Sequence, residues 1–301
     1  MVSFSDLGIG PAIVKELNKQ GITEPFEVQK ESIPDSLLGR DVCCRAPTGS
    51  GKTLAFGLPL IARTKRANPK RPTGLILTPT RELAEQINSV LRPIALAVDR
   101  DVVSIYGGVS YKKQYNALNK GVDILVACPG RLIDLLDRRA LKLDDVETVV
   151  LDEADRMADM GFMDPVCEIL DKCSNERQTI LFSATLDDDV ADLVKNYQNE
   201  PVTIEVGPKE VSIENMQHLF WTMKPHQKLG VTSEILAKCG KTMIFCKTRR
   251  GVDRLGDEMY DAEINISTLH GGLNQRQRDR AIRRFTKGGS IALVATDVAA
   301  R

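Results

Sequence analysis

A glycine-rich segment between an apolar run and a helical pattern has the residue types that bind phosphate. Residues 46–53 read Ala-Pro-Thr-Gly-Ser-Gly-Lys-Thr. Gly49 and Gly51 let backbone N–H groups approach an anion closely. Lys52 supplies a positive charge for the β- and γ-phosphates, and the Thr53 hydroxyl can bind Mg²⁺. The predicted nucleotide contacts in this loop are Thr48, Gly49, Ser50, Gly51, Lys52 and Thr53.

A pair of acids at the end of another apolar run supplies the second half of the same chemistry. Asp152 and Glu153 follow the apolar residues 149–151. Two adjacent carboxylates leaving a buried strand would be costly without a cation between them. Asp152 is therefore predicted to hold Mg²⁺, and Glu153 to orient or deprotonate the attacking water. With Lys52 as the third catalytic residue, the pattern predicts an ATPase.

The elements that must position these residues follow an α/β pattern. Short, nearly all-apolar runs alternate with segments of helical spacing, as in parallel strands buried on both faces. This alternation predicts an α/β fold with a mostly parallel sheet. The predicted strands of the first half are 41–46, 74–79, 102–106, 123–127, 148–151, 179–182 and 202–206.

A polar stretch opened by Gly-Pro divides the chain into two predicted domains. The stretch covers residues 207–215, which makes 1–206 the first domain and 216–301 the second. A length of 301 residues is enough for two domains. The strand–helix alternation resumes after the linker, with predicted strands at 219–223, 242–246, 264–269 and 291–295.

The bulk composition says more about the cellular compartment of the protein than about its binding partner. Lys+Arg and Asp+Glu both number 41, so no global basic field indicates nucleic acid. The seven cysteines form no CxxC pair, which is typical of free thiols in a reducing compartment. No signal peptide and no run of about 18 apolar residues is visible. These features predict a cytoplasmic protein without a membrane span.

The four residues 152–155, Asp-Glu-Ala-Asp, resemble the signature of the DEAD-box RNA helicases. The resemblance covers essentially the whole chain, and its motifs occur in family order. Residues 21–29 resemble the family's Q motif, with Phe4 ahead of it. The resemblance implies nucleotide contacts from Gln29 and Phe4, and ATP is favoured because an amide matches the donor and acceptor of adenine. It also implies two RecA-like domains of the P-loop NTPase fold, the second incomplete.

Further motifs of the resemblance imply contacts with the sugar–phosphate backbone of RNA, without sequence preference. Hydroxyls, backbone N–H groups and arginines at helix starts are suitable phosphate ligands. The resemblance also implies that Ser183, Ala184 and Thr185 couple the ATP site to the closed state of the two domains. The implied RNA-binding residues are Pro79, Thr80, Arg81, Gly107, Gly108, Pro129, Gly130, Arg131, Gln275, Arg278 and Thr296.

The resemblance breaks off at Arg301, in the opening of motif V. The family continues into an arginine-rich motif VI, whose arginines reach the γ-phosphate, and such an arginine is worth ~10³–10⁵ in rate. We therefore expect this polypeptide to bind ATP but to hydrolyse it poorly. A monomer is also predicted. Two alternatives stay open from the sequence: a DNA-translocating helicase, and a non-catalytic, ATP-gated RNA clamp or scaffold.

Overall fold

The structure of the chain, a computed structural model, describes residues 2–207 and 217–296. It divides into two compact units, Met1–Val211 and Ser212–Arg301. The predicted linker 207–215 lies outside the described residues from residue 208 onward. Among the helices of the described ranges, none is long and apolar enough to cross a bilayer.

The first unit is built on a parallel sheet of seven strands. The strands are β1 Val42–Arg45, β2 Gly74–Leu77, β3 Val102–Ile105, β4 Ile124–Ala127, β5 Thr148–Asp152, β6 Gln178–Ser183 and β7 Val202–Glu205. Their order across the sheet is β3-β4-β2-β5-β6-β1-β7. Each strand was predicted from its apolar run, and the strand–helix alternation requires the crossovers that parallel pairing needs.

Helices cover both faces of this sheet. They are α1 Pro11–Lys19, α2 Glu27–Leu37, α3 Lys52–Arg63, α4 Arg81–Leu96, α5 Tyr111–Lys120, α6 Pro129–Asp137, α7 Ala154–Asp159, α8 Met163–Asp171 and α9 Asp188–Tyr197. Because side chains alternate along a strand, each strand contributes to two cores. Val150 and Ile180 pack in the core that includes α3 and α4, whereas Val149 and Leu181 pack in the core that includes α6 and α8.

The second unit contains a parallel sheet of three strands in the order β8-β10-β9. The strands are β8 Thr242–Cys246, β9 Ile266–Leu269 and β10 Ala292–Thr296, and the helices are α10 Lys228–Cys239, α11 Arg249–Asp261 and α12 Gln275–Thr286. Helices α10 and α11 pack with one face of the sheet, around Met259 and Ala292. Helix α12 packs on the other, around Ala281 and Leu293.

The predicted strand at 219–223 is wrong. These residues have no regular secondary structure, and no described strand pairs with them. The side chain of Phe220 is 91% exposed, and those of Leu219 and Trp221 are also exposed. An apolar run forms a strand only where a neighbouring strand completes its hydrogen bonds, and the described part of the chain supplies none here.

Candidate active site

Three motifs meet at one edge of the first sheet. Strands β5, β6 and β1 are neighbours, so their carboxyl ends lie side by side. The glycine-rich loop follows β1, and its Ala46 N–H donates to the Ser183 carbonyl at the end of β6, 2.9 Å away. Asp152, at the end of β5, is in register with Phe182 of β6. The fold therefore assembles residues separated by more than a hundred positions.

The loop between β1 and α3 has the backbone conformation that glycine permits. Gly49 and Gly51 have φ angles of 84° and 93°, both in the left-handed region. A Cβ at Gly51 would also lie 2.6 Å from the Phe26 ring and 2.7 Å from the Gln29 amide nitrogen. Helix α3 begins at Lys52, whose Nζ donates to the Ala46 carbonyl at 3.2 Å. The Lys52 ammonium is thus held against the loop, with the side chain buried.

Asp152 has the properties of a cation ligand. It is 3% exposed, and its Oδ1 accepts no hydrogen bond from any described residue. Burial raises the pKa of Asp152 to about 7, while the nearby Lys52 ammonium acts in the opposite direction. A buried carboxylate oxygen without a donor is costly unless a cation approaches it. Asp152 therefore fits a metal ligand.

The donor set around Asp152 suits magnesium bound together with a nucleotide. Within the described residues, no group of three or more His, Cys, Asp or Glu could hold a metal ion by itself. Mg²⁺ commonly uses one or two protein oxygens, with phosphates and water completing its octahedron. Asp152 and the Thr53 hydroxyl at the start of α3 are the residues that would hold it.

Replacing Asp152 by Asn is expected to stabilise the nucleotide-free chain, more at pH 8 than at pH 5. The folded-state pKa of about 7 lies above the ordinary value of 3.8. The ionised form is therefore disfavoured by folding, and this destabilisation grows as the pH rises from about 4 to about 7. Asn does not ionise, so the expected gain at pH 8 is roughly 2–4 kcal/mol.

Thermal denaturation without nucleotide, at both pH values, measures this effect. Asp159→Asn, an exposed position on α7, is the matched control and should change little. An equal gain for D152N at pH 5 and pH 8 would show that the Asp152 carboxyl does not titrate as described.

Glu153 occupies a strained position between β5 and α7. Its backbone is left-handed, with φ 53° and ψ 53°, at the N-cap of α7. This conformation costs a non-glycine residue roughly 1–2 kcal/mol. The Glu153 carboxylate lies 2.8 Å from Arg156 Nη1, and both side chains are mostly buried. The sharp turn and the ion pair together fix where this carboxylate lies beside Asp152.

Hydrogen bonds join the acidic motif to the end of β6. The Asp155 N–H donates to Ser183 Oγ at 3.1 Å. The Asp155 carboxylate in turn accepts from the Thr185 N–H at 3.2 Å and from its hydroxyl at 3.4 Å. A displacement of either segment would break bonds of the other. This connection is within the first unit, and coupling between the domains through residues 183–185 stays a prediction.

Gln29 contacts the phosphate-binding loop directly. Its side chain is buried, Oε1 accepts from the Phe26 N–H at 2.9 Å, and Nε2 donates to the Gly51 carbonyl at 3.0 Å. An amide has two donor hydrogens and two acceptor lone pairs. One of each is left after these two bonds, which is the pair that recognition of adenine would use.

Two aromatic residues differ from expectation. Phe4, predicted to contact the nucleotide, is 2% exposed and packs in the core, so its ring face is not available for stacking. Phe26 lies within residues 21–29, for which no contact of the Phe26 ring was predicted; it is 59% exposed and lies against Gly51. Its position beside the loop depends on the packing of α2 against α3, which the local sequence does not reveal.

Residues expected to contact RNA lie at the carboxyl ends of β2, β3 and β4, which are also adjacent strands. Thr80 caps α4 through its hydroxyl, which accepts from the Leu83 N–H at 3.3 Å. The Arg81 guanidinium packs against Gly108, where a Cβ would come within 2.4 Å of it. A Cβ at Gly107 would lie 3.5 Å from Arg81 Nη2 and 4.0 Å from Arg131 Nη2. The fold thus brings three separate motifs into one cluster.

Within this cluster the guanidinium group of Arg131 already binds other groups of the protein. Its guanidinium donates to Gln114 Oε1 at 2.9 Å and to the Val109 carbonyl at 3.3 Å, and it lies 4.2 Å from the centre of the Tyr111 ring. These contacts make Arg131 a support for the turn that follows β3. Of the neighbouring motif residues, Pro129 is buried and Gly130 is exposed.

The second unit carries the remaining predicted RNA contacts. Thr296 ends β10 and is 8% exposed, and Arg278 lies on α12. The side chain of Gln275 lies outside the described residues. So do residues 297–301, which held the rest of the motif predicted around Thr296.

A parallel sheet whose glycine-rich loop and strand-end aspartate meet at one edge defines a P-loop nucleotide-binding protein. The chain belongs to the DEAD/DEAH box helicase family, whose model matches residues 26–193. The model of the helicase conserved C-terminal domain matches residues 227–301.

Curated relatives match over the whole chain. It is 40% identical to DEAD-box ATP-dependent RNA helicase 9 of Oryza sativa subsp. japonica, and 36% identical to DEAD-box ATP-dependent RNA helicase CshA of Bacillus subtilis. All of this chain is aligned in both comparisons, and it spans 49% of the first relative and 61% of the second.

Solved structures agree with this assignment. A DEAD box protein from the hyperthermophile Methanococcus jannaschii is 31% identical, with a TM-score of 0.66 over 99% of this chain and 80% of that one. Dbp5 of S. cerevisiae, bound to RNA and ADP BeF3, is 30% identical, with a TM-score of 0.85 over 99% of this chain and 77% of that one.

Proposed function

We propose that the chain is the nucleotide-binding and RNA-binding part of an ATP-dependent RNA helicase. In this proposal, ATP binding and hydrolysis drive local unwinding of RNA duplexes or remodelling of RNA–protein complexes. One observation carries it: the Lys52 ammonium and the unpartnered Asp152 carboxylate oxygen lie in the same buried site, at the start of α3. The names of the curated relatives and the RNA bound to Dbp5 support the choice of RNA as the nucleic acid.

Each residue of the nucleotide site has a distinct task in the proposed reaction. Lys52 and the loop N–H groups bind the β- and γ-phosphates. Asp152 and Thr53 would hold Mg²⁺, which would neutralise charge on the phosphates. Glu153 orients the attacking water and accepts its proton, because its carboxylate lies next to Asp152 at the same strand end. Gln29 contacts both the adenine and the loop.

RNA is proposed to bind beside the nucleotide, along the carboxyl ends of β3, β4 and β2. Thr80 and Arg81, at the N-terminus of α4, and the exposed glycines Gly108 and Gly130 offer hydroxyl, guanidinium and backbone donors. Such groups recognise sugars and phosphates rather than bases, so little sequence preference is expected. Since this edge continues into the nucleotide site through β5, occupancy of one site can influence the other.

Titration of labelled single strands tests this proposal against its alternatives. We expect RNA to bind more tightly than DNA of the same sequence, and more tightly with a non-hydrolysable ATP analogue and Mg²⁺ than without. Equal binding of DNA would favour a DNA-translocating helicase. RNA binding that depends on ATP, in a full-length protein that never hydrolyses it, would favour a clamp.

Replacing Gln29 by Ala is expected to weaken ATP binding by about 5- to 150-fold (about 1–3 kcal/mol). The substitution removes the side-chain bond to the loop and leaves the partly buried Gly51 carbonyl without that donor. Discrimination between ATP and GTP should fall as well. Gln86→Ala, an exposed position on α4, is the control. Competition between the two nucleotides for a fluorescent analogue measures both effects, and unchanged discrimination would remove Gln29 from base recognition.

The cellular setting and the assembly state are further proposals. We infer a reducing compartment such as the cytoplasm, supported by cysteines that are all free thiols in the described residues. Burial raises the pKa of Cys43 to about 11 and of Cys44 to about 12, so both thiols are neutral at physiological pH and react slowly. The predicted monomeric state is tested by light scattering of the purified chain.

A further inference from the structure

A groove of about 920 Å³ runs along the outer side of the sheet in the second unit. Its floor is β9, one wall is α11 and the other is α12. We name it the β9 groove. Helix α11 packs on one face of the sheet and α12 on the other. The groove therefore lies between the two helices, along the edge of the sheet that β9 forms. None of the residues assigned to ATP or RNA above lines it.

The floor of the β9 groove is an unpaired strand edge. β9 pairs with β10, and no described strand pairs with its other side. The Asn265 carbonyl accepts from the Ile291 N–H, 2.9 Å away, and so points towards β10. Since backbone groups alternate in direction along a strand, those of Ile266 and Thr268 point into the groove. An open edge of this kind is a template for an added strand.

The two walls carry opposite charges. Asp257 and Asp261, one turn apart on α11, are exposed and line the groove. Arg280 and Arg284, one turn apart on α12, line it from the other side. Among the described residues, no ion pair within 4.0 Å involves Asp257, Asp261 or Arg280. Each wall therefore has charge that a ligand could neutralise.

We propose that the β9 groove binds an extended peptide segment as an additional strand, with basic side chains on the α11 side and acidic side chains on the α12 side. Side chains of a strand alternate between the two faces of a sheet. The matching ligand is therefore a segment in which basic and acidic residues alternate. The acidic wall disfavours RNA, whose phosphates would lie near Asp257 and Asp261.

Binding of two synthetic peptides to the 301-residue chain tests the pattern. One alternates Lys and Glu over about ten residues, long enough to pair with the whole edge at about 3.3 Å per residue. The other has the same composition arranged as Lys-Lys-Glu-Glu, so each face carries both charges. Fluorescence anisotropy should give at least about tenfold tighter binding for the alternating peptide. Equal affinities would overturn the proposal.

Charge reversal in the walls gives a second test. Arg280→Glu together with Arg284→Glu reverses the charge of the α12 wall and should weaken binding of the alternating peptide about tenfold. Adding Asp257→Lys and Asp261→Lys exchanges the charges of the two walls, and a shift of the peptide by one residue then restores the match. Recovery in the quadruple variant supports the groove, whereas no recovery overturns it. Circular dichroism and ATP binding report whether each variant is folded.

Backbone pairing separates strand addition from simple charge attraction. Methylating the amide nitrogens of all Lys residues blocks one edge of the alternating peptide, and methylating those of all Glu residues blocks the other. One of the two modified peptides should lose binding and the other should retain it, because only one edge pairs with β9. Loss from both or from neither would overturn strand addition. Displacement of the peptide by single-stranded RNA of similar length would identify the groove as an RNA site instead.

Discussion

Replacing Lys52 by Ala is expected to weaken ATP binding by about a hundredfold. The ammonium group is buried against the loop and is the cation that acts on Asp152 in the same site. Its loss removes a charged hydrogen bond to phosphate, worth about 1.5–3 kcal/mol, and leaves the Asp152 carboxylate without its compensating charge. The second effect raises the pKa of Asp152 further, which also weakens Mg²⁺ binding at neutral pH.

Isothermal titration with ATP and Mg²⁺ measures this loss directly. Lys65→Ala is the matched control, because the Lys65 ammonium is exposed at the surface and pairs with Glu147. The control should bind ATP like the unmodified chain, since exposed ion pairs contribute little. Wild-type ATP affinity in K52A would remove Lys52 from the phosphate site and, with it, the basis of the proposed ATP-dependent activity.

Replacing Glu153 by Gln is expected to reduce ATP hydrolysis by about 10²–10⁴-fold while leaving ATP affinity nearly unchanged. The amide keeps the size and shape of the side chain but does not accept a proton from water. The phosphates are bound by other residues, chiefly Lys52 and the loop backbone, so binding should persist. Single-turnover hydrolysis with protein in excess resolves even a slow reaction and separates it from binding.

The control for this variant is Glu168→Gln, an exposed position on α8 whose partner is Lys172. It removes one carboxylate and one ion pair, as E153Q does, but at a residue that is not part of the nucleotide site. A hydrolysis rate for E153Q within about threefold of the unmodified chain would assign the proton transfer to another group. A large loss of ATP affinity would instead indicate a structural role for the pair with Arg156.

The strands of the first unit could be predicted because a strand buried on both faces has a short, nearly all-apolar sequence. Each observed strand there lies within two residues of its predicted bounds at either end. The carboxylates of the site could be predicted for a related reason: an acid at the end of an apolar run has few structural explanations. The strand predicted at 219–223 was wrong because apolar composition does not reveal whether a neighbouring strand is available for pairing.

Contacts between distant segments were the part that sequence reasoning missed. Arg131 is the residue type expected at a phosphate, but Gln114 and Tyr111 occupy its guanidinium, and only the fold brings them together. Phe4 was expected near the nucleotide and lies in the core instead. Phe26 is the opposite case: its ring was not predicted to contact the nucleotide site, yet it is exposed and lies beside Gly51. Chemical type predicts what a side chain can do, and packing decides whether it is available.

The left-handed backbone at Glu153 sets two kinds of selection against each other. Glycine adopts this conformation freely, so Glu153→Gly would relieve about 1 kcal/mol of backbone strain. A laboratory evolution experiment that rewards heat resistance alone would favour losing the carboxylate, whereas one that rewards turnover would keep it. In the proposed mechanism, the strained backbone at Glu153 thus lies where the reaction needs a group that accepts a proton.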